Sequence, residues 1–141
     1  KQIDIFGLSG YISSMPEQDF ITSGLFLLDP LGYNDFLYLW KDATLVLTDS
    51  GGLQEETTAL KIPCITMREN TERPITAECG SNELVGIDTE KMFALVNNAL
   101  AGKWKESTIP EMWDGRASER IIERLFIKEI RKELIIDFIS N

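Results

Sequence analysis

The sequence predicts an α/β fold built on a parallel sheet, and three observations carry that expectation. Short apolar, β-prone runs alternate with stretches whose apolar residues recur at helical spacing, the pattern of successive βα units. One of these runs, ending at Leu47, feeds through Thr48-Asp49-Ser50 and two glycines into a helix-forming stretch. The composition is that of an ordinary globular protein, 43% hydrophobic and 26% charged, which argues against disorder.

Taken in chain order, Lys1–Gly7 reads as the end of a helix with Gly7 as its C-cap, and Leu8–Thr22 as a polar loop carrying Gly, Ser and Pro. Leu25–Leu28 is a short buried strand. Tyr33–Trp40 is a helix, because Phe36, Leu37 and Trp40 share one face. The strand Leu45–Thr48, the helix Leu53–Leu60 and the strand Cys64–Met67 follow. Arg73–Glu78 is a short helix opened by Pro74, whose missing N–H suits a first helical turn. Leu84–Gly86 is a strand. Thr89 caps a helix over Glu90–Leu100, with Gly102 just past its end. Ser107–Gly115 is a loop. A last helix runs from about Ser118 to about Phe138. Its apolar residues Ile121, Ile122, Leu125, Ile130, Leu134, Ile135 and Phe138 suit a seam against another domain, or a partner-binding helix. No internal repeat or low-complexity tract interrupts this order.

The segment Leu45–Glu56, LVLTDSGGLQEE, is the richest in chemistry. A strand that turns through Ser-Gly-Gly into a helix aims free backbone N–H groups and a positive dipole end at one point, which suits an anion such as phosphate. Gly51 and Gly52 admit a close approach of an oxygen to the backbone and permit positive φ. Ser50 adds a hydroxyl. Glu56, about one turn into the helix, offers an acceptor for sugar hydroxyls. The triplet alone is weak, since most such triplets are plain turns, and neither GxGxxG nor the P-loop ending is present. Its place after a buried strand, at the carboxyl end where open α/β sheets bind ligands, strengthens it.

Charge and cysteine content narrow the classes further. A net charge of −9 argues against general nucleic-acid binding, which needs a basic face. It also requires an anionic ligand to be held by local features. With no His, 2 Cys and no CxxC pair, zinc and a disulfide framework are disfavoured, and Cys64 and Cys79 read as two buried free thiols of a cytoplasmic protein. No apolar run reaches membrane-spanning length.

The nine residues Thr48–Glu56, TDSGGLQEE, resemble the signature of the non-hydrolysing UDP-N-acetylglucosamine 2-epimerases. Further matches follow the family's order. Pro30-Leu31-Gly32-Tyr33-Asn34-Asp35-Phe36 resembles the segment before the signature, and Arg68-Glu69-Asn70-Thr71-Glu72-Arg73-Pro74 the R-x-x-T-E-R-P segment after it. Leu84-Val85-Gly86 and Trp113-Asp114-Gly115-Arg116-Ala117-Ser118 resemble the closing strand and the entry to the final helix. The likeness runs from about Lys1 to about Phe126.

The resemblance implies a Rossmann-like domain of the glycosyltransferase-B arrangement, here the later part of the second domain. It divides the chain into a partial UDP-binding domain over 1–126 and a helical extension over 127–141. It implies UDP contacts at Ser50, Gly51, Gly52, Glu56 and Arg73, with uracil near Phe36 and Leu31. Phe36 serves core packing, base contact or both. Leu31 departs from relatives with a polar residue there, so a uracil contact would run through its backbone. Arg73, a diphosphate clamp by its match to T-E-R-P, is favoured over Arg68, although either is equally well a solvated charge or a carboxylate's partner. Glu72 orients Arg73 or fixes the local helix start, and Glu55 is structural or exposed.

For an intact enzyme the resemblance implies interconversion of UDP-N-acetylglucosamine and UDP-N-acetylmannosamine by elimination and re-addition of UDP, serving polysaccharide biosynthesis without cofactor or metal. The carbon acid/base carboxylates belong to the family's first domain, so this chain alone is expected to be inactive and to need that domain as a partner. Two other classes stay open: another UDP-2-acetamido-sugar epimerase or a glycosyltransferase nucleotide-binding domain, and a non-catalytic assembly fragment. In a strand order of 3-2-1-4-5-6, strands one and two would precede Lys1 and the strand near Leu45 presents an open edge; self-association as a homo-oligomer is expected through that edge or through the long C-terminal helix.

Overall fold

Three short strands form the sheet, β1 (Val46–Thr48), β2 (Cys64–Thr66) and β3 (Asn82–Leu84), in a computed structural model that describes residues 24, 26 and 28–127. All pairings are parallel and the spatial order is β1-β2-β3, with Val46 beside Cys64 and Cys64 beside Asn82. β2 is the central strand and is buried along its whole length. The four helices with full bounds are α1 (Tyr33–Trp40), α2 (Gly51–Leu60), α3 (Pro74–Glu78) and α4 (Thr89–Leu100). Residues 117–127 are helical as well. The parallel α/β architecture is therefore the one expected.

The chain divides into two units, Lys1–Phe36 and Leu37–Asn141, with the division inside α1. In the second unit, α2 packs on all three strands, and α3 packs on β3 and α2. Trp40, Ile62, Cys64, Ile65, Val85 and Ala99 make the apolar core. The face that α2 turns inward is not apolar. Gln54, Thr57 and Thr58, spaced for one helical face, are buried, while Leu60 is half exposed. Thr57 satisfies its hydroxyl by donating to the Leu53 carbonyl of its own helix at 2.6 Å. Gly80 lets α2 and α3 approach this closely, since a Cβ there would lie 2.6 Å from Thr58 Oγ1 and from the Thr76 carbonyl.

Several expectations need correction. β3 begins at Asn82 and ends at Leu84, two residues earlier than Leu84–Gly86. Its first residue is a buried polar one, and the apolar pair Leu84-Val85 starts only where pairing stops; Gly86 is already in a turn with φ +57°. The cap of α4 is Asp88, whose carboxylate accepts from the Lys91 N–H at 2.9 Å, and Thr89 is the first helical residue. The end of α4 is as expected: Gly102 has φ +68°, its N–H donates to Ala99 and the Lys103 N–H donates to Asn98, a Schellman closure. The strand over Leu25–Leu28 is not seen at its described positions, where Phe26 and Leu28 are exposed and outside any strand. Leu25 and Leu27 lie outside the described residues, as do the helix end and loop expected over 1–22 and the final-helix positions Ile130, Leu134, Ile135 and Phe138. Ile121, Ile122 and Leu125 are exposed.

Candidate functional site

α2 starts earlier than the periodicity suggested, at Gly51, so both glycines lie in its first turn and Ser50 is the N-cap. Neither glycine has positive φ, which corrects one reason offered for them. A side chain at Gly52 would meet nothing of the fold nearer than Ser50 Oγ, at 3.9 Å. The fold therefore does not need glycine there, although glycine weakens a helix by about 0.5–1 kcal/mol relative to alanine. What the missing Cβ provides is open access to the backbone N–H groups at the helix start. Ser50 has extended backbone and makes no side-chain cap, so its hydroxyl is not spent on the helix. Its own N–H donates to Thr48 Oγ1 at 3.0 Å, which fixes the exit from β1.

The segment after β2 brings the arginines to this end of the sheet. Arg68 pairs with Glu72 at 3.2 Å and Arg73 Nε pairs with Glu55 Oε1 at 3.3 Å. Glu72 therefore forms its ion pair with Arg68 and meets the Arg73 charge only at longer range, while Glu55 is the residue that holds the Arg73 guanidinium. The Glu72 carboxylate also sits against the start of α2, where a Cβ on Gly51 would be 3.1 Å from its Oε1. A negative group is favoured at that dipole end. The backbone N–H of Glu72 and the nearby Arg68 guanidinium hold its carboxyl below the usual glutamate value. Glu56 is half-buried on α2 and, with Glu55, Ala59 and Trp113, lines a shallow depression of about 290 Å³. Trp113 comes from the W-D-G-R-A-S stretch, beyond which Asp114 accepts from the Arg116 N–H at 3.0 Å and pairs with Arg120. Leu31 and Phe36 belong to the first unit, 43% and 38% exposed, so neither is sealed in a core.

Beneath the charged surface lies a polar knot that sequence reasoning missed. Gln54 Oε1 accepts from Thr71 Oγ1 at 2.6 Å and from Asn82 Nδ2 at 3.2 Å. Asn82 Nδ2 also donates to Thr76 Oγ1, and Asn82 Oδ1 accepts from Thr66 Oγ1 at 2.7 Å. Gln54, Thr66, Thr76 and Asn82 are fully buried. The knot joins α2, β2, β3, α3 and the loop that bears Arg73. Its sequence signal was the failure of α2 to show an apolar stripe, which means that something polar must meet Gln54 inside.

Among the described residues no group of three or more His, Cys, Asp or Glu gathers as a metal site would require, and no helix is long and apolar enough to cross a membrane. Cys64 is buried, which pushes its thiol pKa up and suits an inert core position, whereas Cys79, expected to be buried as well, is only partly so because it follows α3 at its exposed end.

The profile of the family described as UDP-N-acetylglucosamine 2-epimerase matches residues 11–126. A UDP-N-acetylglucosamine 2-epimerase of Methanocaldococcus jannaschii is 48% identical over 101 residues, covering 70% of this chain and 26% of that protein. Another from Methanococcus maripaludis is 38% identical over 128 residues, covering 89% and 32%. The crystal structure of the M. jannaschii UDP-GlcNAc 2-epimerase in complex with UDP-GlcNAc and UDP superposes with a TM-score of 0.68 at 41% identity, over 89% of this chain and 32% of that one. The chain thus spans between a quarter and a third of the length of these relatives, 26% to 32%. It belongs to the UDP-N-acetylglucosamine 2-epimerase family.

Proposed function

We propose that this chain is the UDP-gripping part of an enzyme that interconverts UDP-N-acetylglucosamine and UDP-N-acetylmannosamine by eliminating and re-adding UDP. The observation that carries the reading is Gly52: a helix-weakening residue, held where the fold has room for a side chain, at the helix start that follows β1. The solved relative holding UDP-GlcNAc and UDP supports the same ligand class. In this reading the diphosphate meets Ser50, Gly51 and Gly52, Arg73 turns from Glu55 to the phosphates, Glu56 accepts from the ribose hydroxyls, and Phe36 and Leu31 flank uracil. Fixed donors at the diphosphate stabilise the negative charge that builds on departing UDP. The proton at the sugar C2 is left to carboxylates of a first domain contributed by the rest of the protein.

The reading includes a cytoplasmic location, a role in polysaccharide biosynthesis, division at about residue 126, and self-association of the enzyme. UDP titration by calorimetry tests the core of it. Gly52→Val should abolish measurable UDP binding while leaving the melting temperature close to the parent's, because the fold accepts the side chain. Full UDP affinity in that variant would move the diphosphate elsewhere. Glu56→Ala should weaken UDP far more than pyrophosphate, and equal weakening would remove Glu56 from the ribose.

A further inference from the structure

Arg73 is held at every backbone polar group. Its N–H donates to Thr71 Oγ1 at 2.9 Å, and its carbonyl accepts from Thr76 Oγ1 at 2.7 Å. The Thr71 hydroxyl in turn donates to Gln54 Oε1, deep in α2 and four residues after Ser50. The next residue of α2, Glu55, takes the Arg73 guanidinium. Two consecutive residues of the helix that begins at the Ser50–Gly52 turn therefore grip Arg73, one through its backbone and one through its side chain. The backbone link passes through a single hydroxyl, which accepts on one side and donates on the other. Gln54 keeps its oxygen toward Thr71 and Asn82 even though its buried Nε2 has no hydrogen-bond partner among the described residues.

We propose that Thr71 is a positioning residue: anchored on Gln54, it sets Arg73 in register with the Ser50–Gly52 turn, so that one diphosphate is met by both. This rests on the turn being the UDP site. Thr71 acts through Arg73, so its effect on UDP vanishes when the guanidinium is gone, which a merely structural threonine would not show.

The test is calorimetric titration of UDP into the natural-length protein carrying Thr71→Val or Thr71→Ser, each with and without Arg73→Ala. Thr71→Val should weaken UDP about tenfold, the size of one lost hydrogen bond. Thr71→Ser, which keeps the hydroxyl, should stay within about twofold. In the Arg73→Ala background, Thr71→Val should cause no further loss. Unchanged affinity in Thr71→Val, or an equal loss with and without Arg73, overturns the proposal. Thr71→Ala, which adds no atom, carries the same comparison if the valine variant does not fold. A parent protein that binds no UDP defeats the site reading itself, whereas a parent that binds UDP without this coupling defeats only the role of Thr71.

Discussion

The two ends of the sheet are closed by different chemistry. At the amino end, the Lys105 ammonium donates to the Ala77 and Asn82 carbonyls at 2.7 and 2.6 Å and pairs with Glu83. Trp104 Nε1 donates to the Ser81 carbonyl at 2.9 Å, and the Thr108 N–H to the Cys79 carbonyl at 2.8 Å. Each of these donors meets a backbone carbonyl at the edge of β3 or α3. At the carboxyl end, Arg68 and Arg73 meet carboxylates that water can reach. Exposed ion pairs are worth little and exchange readily. A strap of residues 104–108 fastens one end to carbonyls, and the other is dressed in pairs that a competing anion can take over. Stability is concentrated at the first end, and the proposed ligand chemistry lies at the second.

Substitutions sharpen that contrast. The largest effect belongs to Gly80→Val, because its Cβ meets the Thr76 carbonyl and Thr58 together; a loss of about 3 kcal/mol in urea unfolding is expected, at the upper range for overpacking. A near-parental midpoint would mean that α2 and α3 can part at little cost. Arg73→Ala should lower UDP affinity at least tenfold, through the loss of charge-assisted bonds worth about 1.5–3 kcal/mol, yet change folding stability by less than about 0.5 kcal/mol. Lys105→Met should do the reverse. Stranding two carbonyls costs about 1–2 kcal/mol of stability, with UDP affinity unaltered once the folded fraction is accounted for. If the two variants shifted both quantities alike, the division between the ends would collapse.

The smallest expected effect is one of pH. The folded Glu72 carboxyl titrates below its ordinary value, so as pH falls the unfolded chain takes the proton first. Its stabilisation is complete above the ordinary carboxylate range and disappears as pH drops through the lowered folded value. Glu72→Gln should therefore be slightly less stable than the parent at neutral pH and match it once the pH has fallen below the lowered folded value. A constant difference between the two across that range would show that the charge is not the cause.

What the sequence made legible follows the same line. β1, α2 and β2 were placed within a residue or two because Leu45–Leu47 and Cys64–Met67 are apolar runs flanked by turn residues. The Ser-Gly-Gly turn was visible because glycine and serine are local signals. β3 is displaced because Asn82 and Glu83 do not look like a strand; Asn82 is buried only with partners far along the chain, as in its bond to Gln54, 28 residues away. The Arg73–Glu55 pair and the knot under it are likewise contacts between distant segments. Polar residues inside a fold are recognisable only by what satisfies them, and composition cannot name the partner. The Lys105 strap carries no local signal, because one lysine in a polar stretch gives no hint of the carbonyls it will find.

The register of the sheet has a consequence for how the protein assembles. Val46 pairs with Cys64, and Cys64 with Asn82, so each strand meets the next one in sequence across the same separation of 18 residues (64 − 46 and 82 − 64). For a parallel sheet these are short closures, and the entropy lost on closing a loop grows only slowly with length. Among the described residues the strands can therefore zip in the order in which they are synthesised, none of the three waiting for a distant mate. The Ser50–Gly52 turn lies inside the first closure and Arg73 inside the second. A folding chain acquires the helix start one step before it acquires the arginine, and the proposed grip on an anion is complete only when β3 has docked.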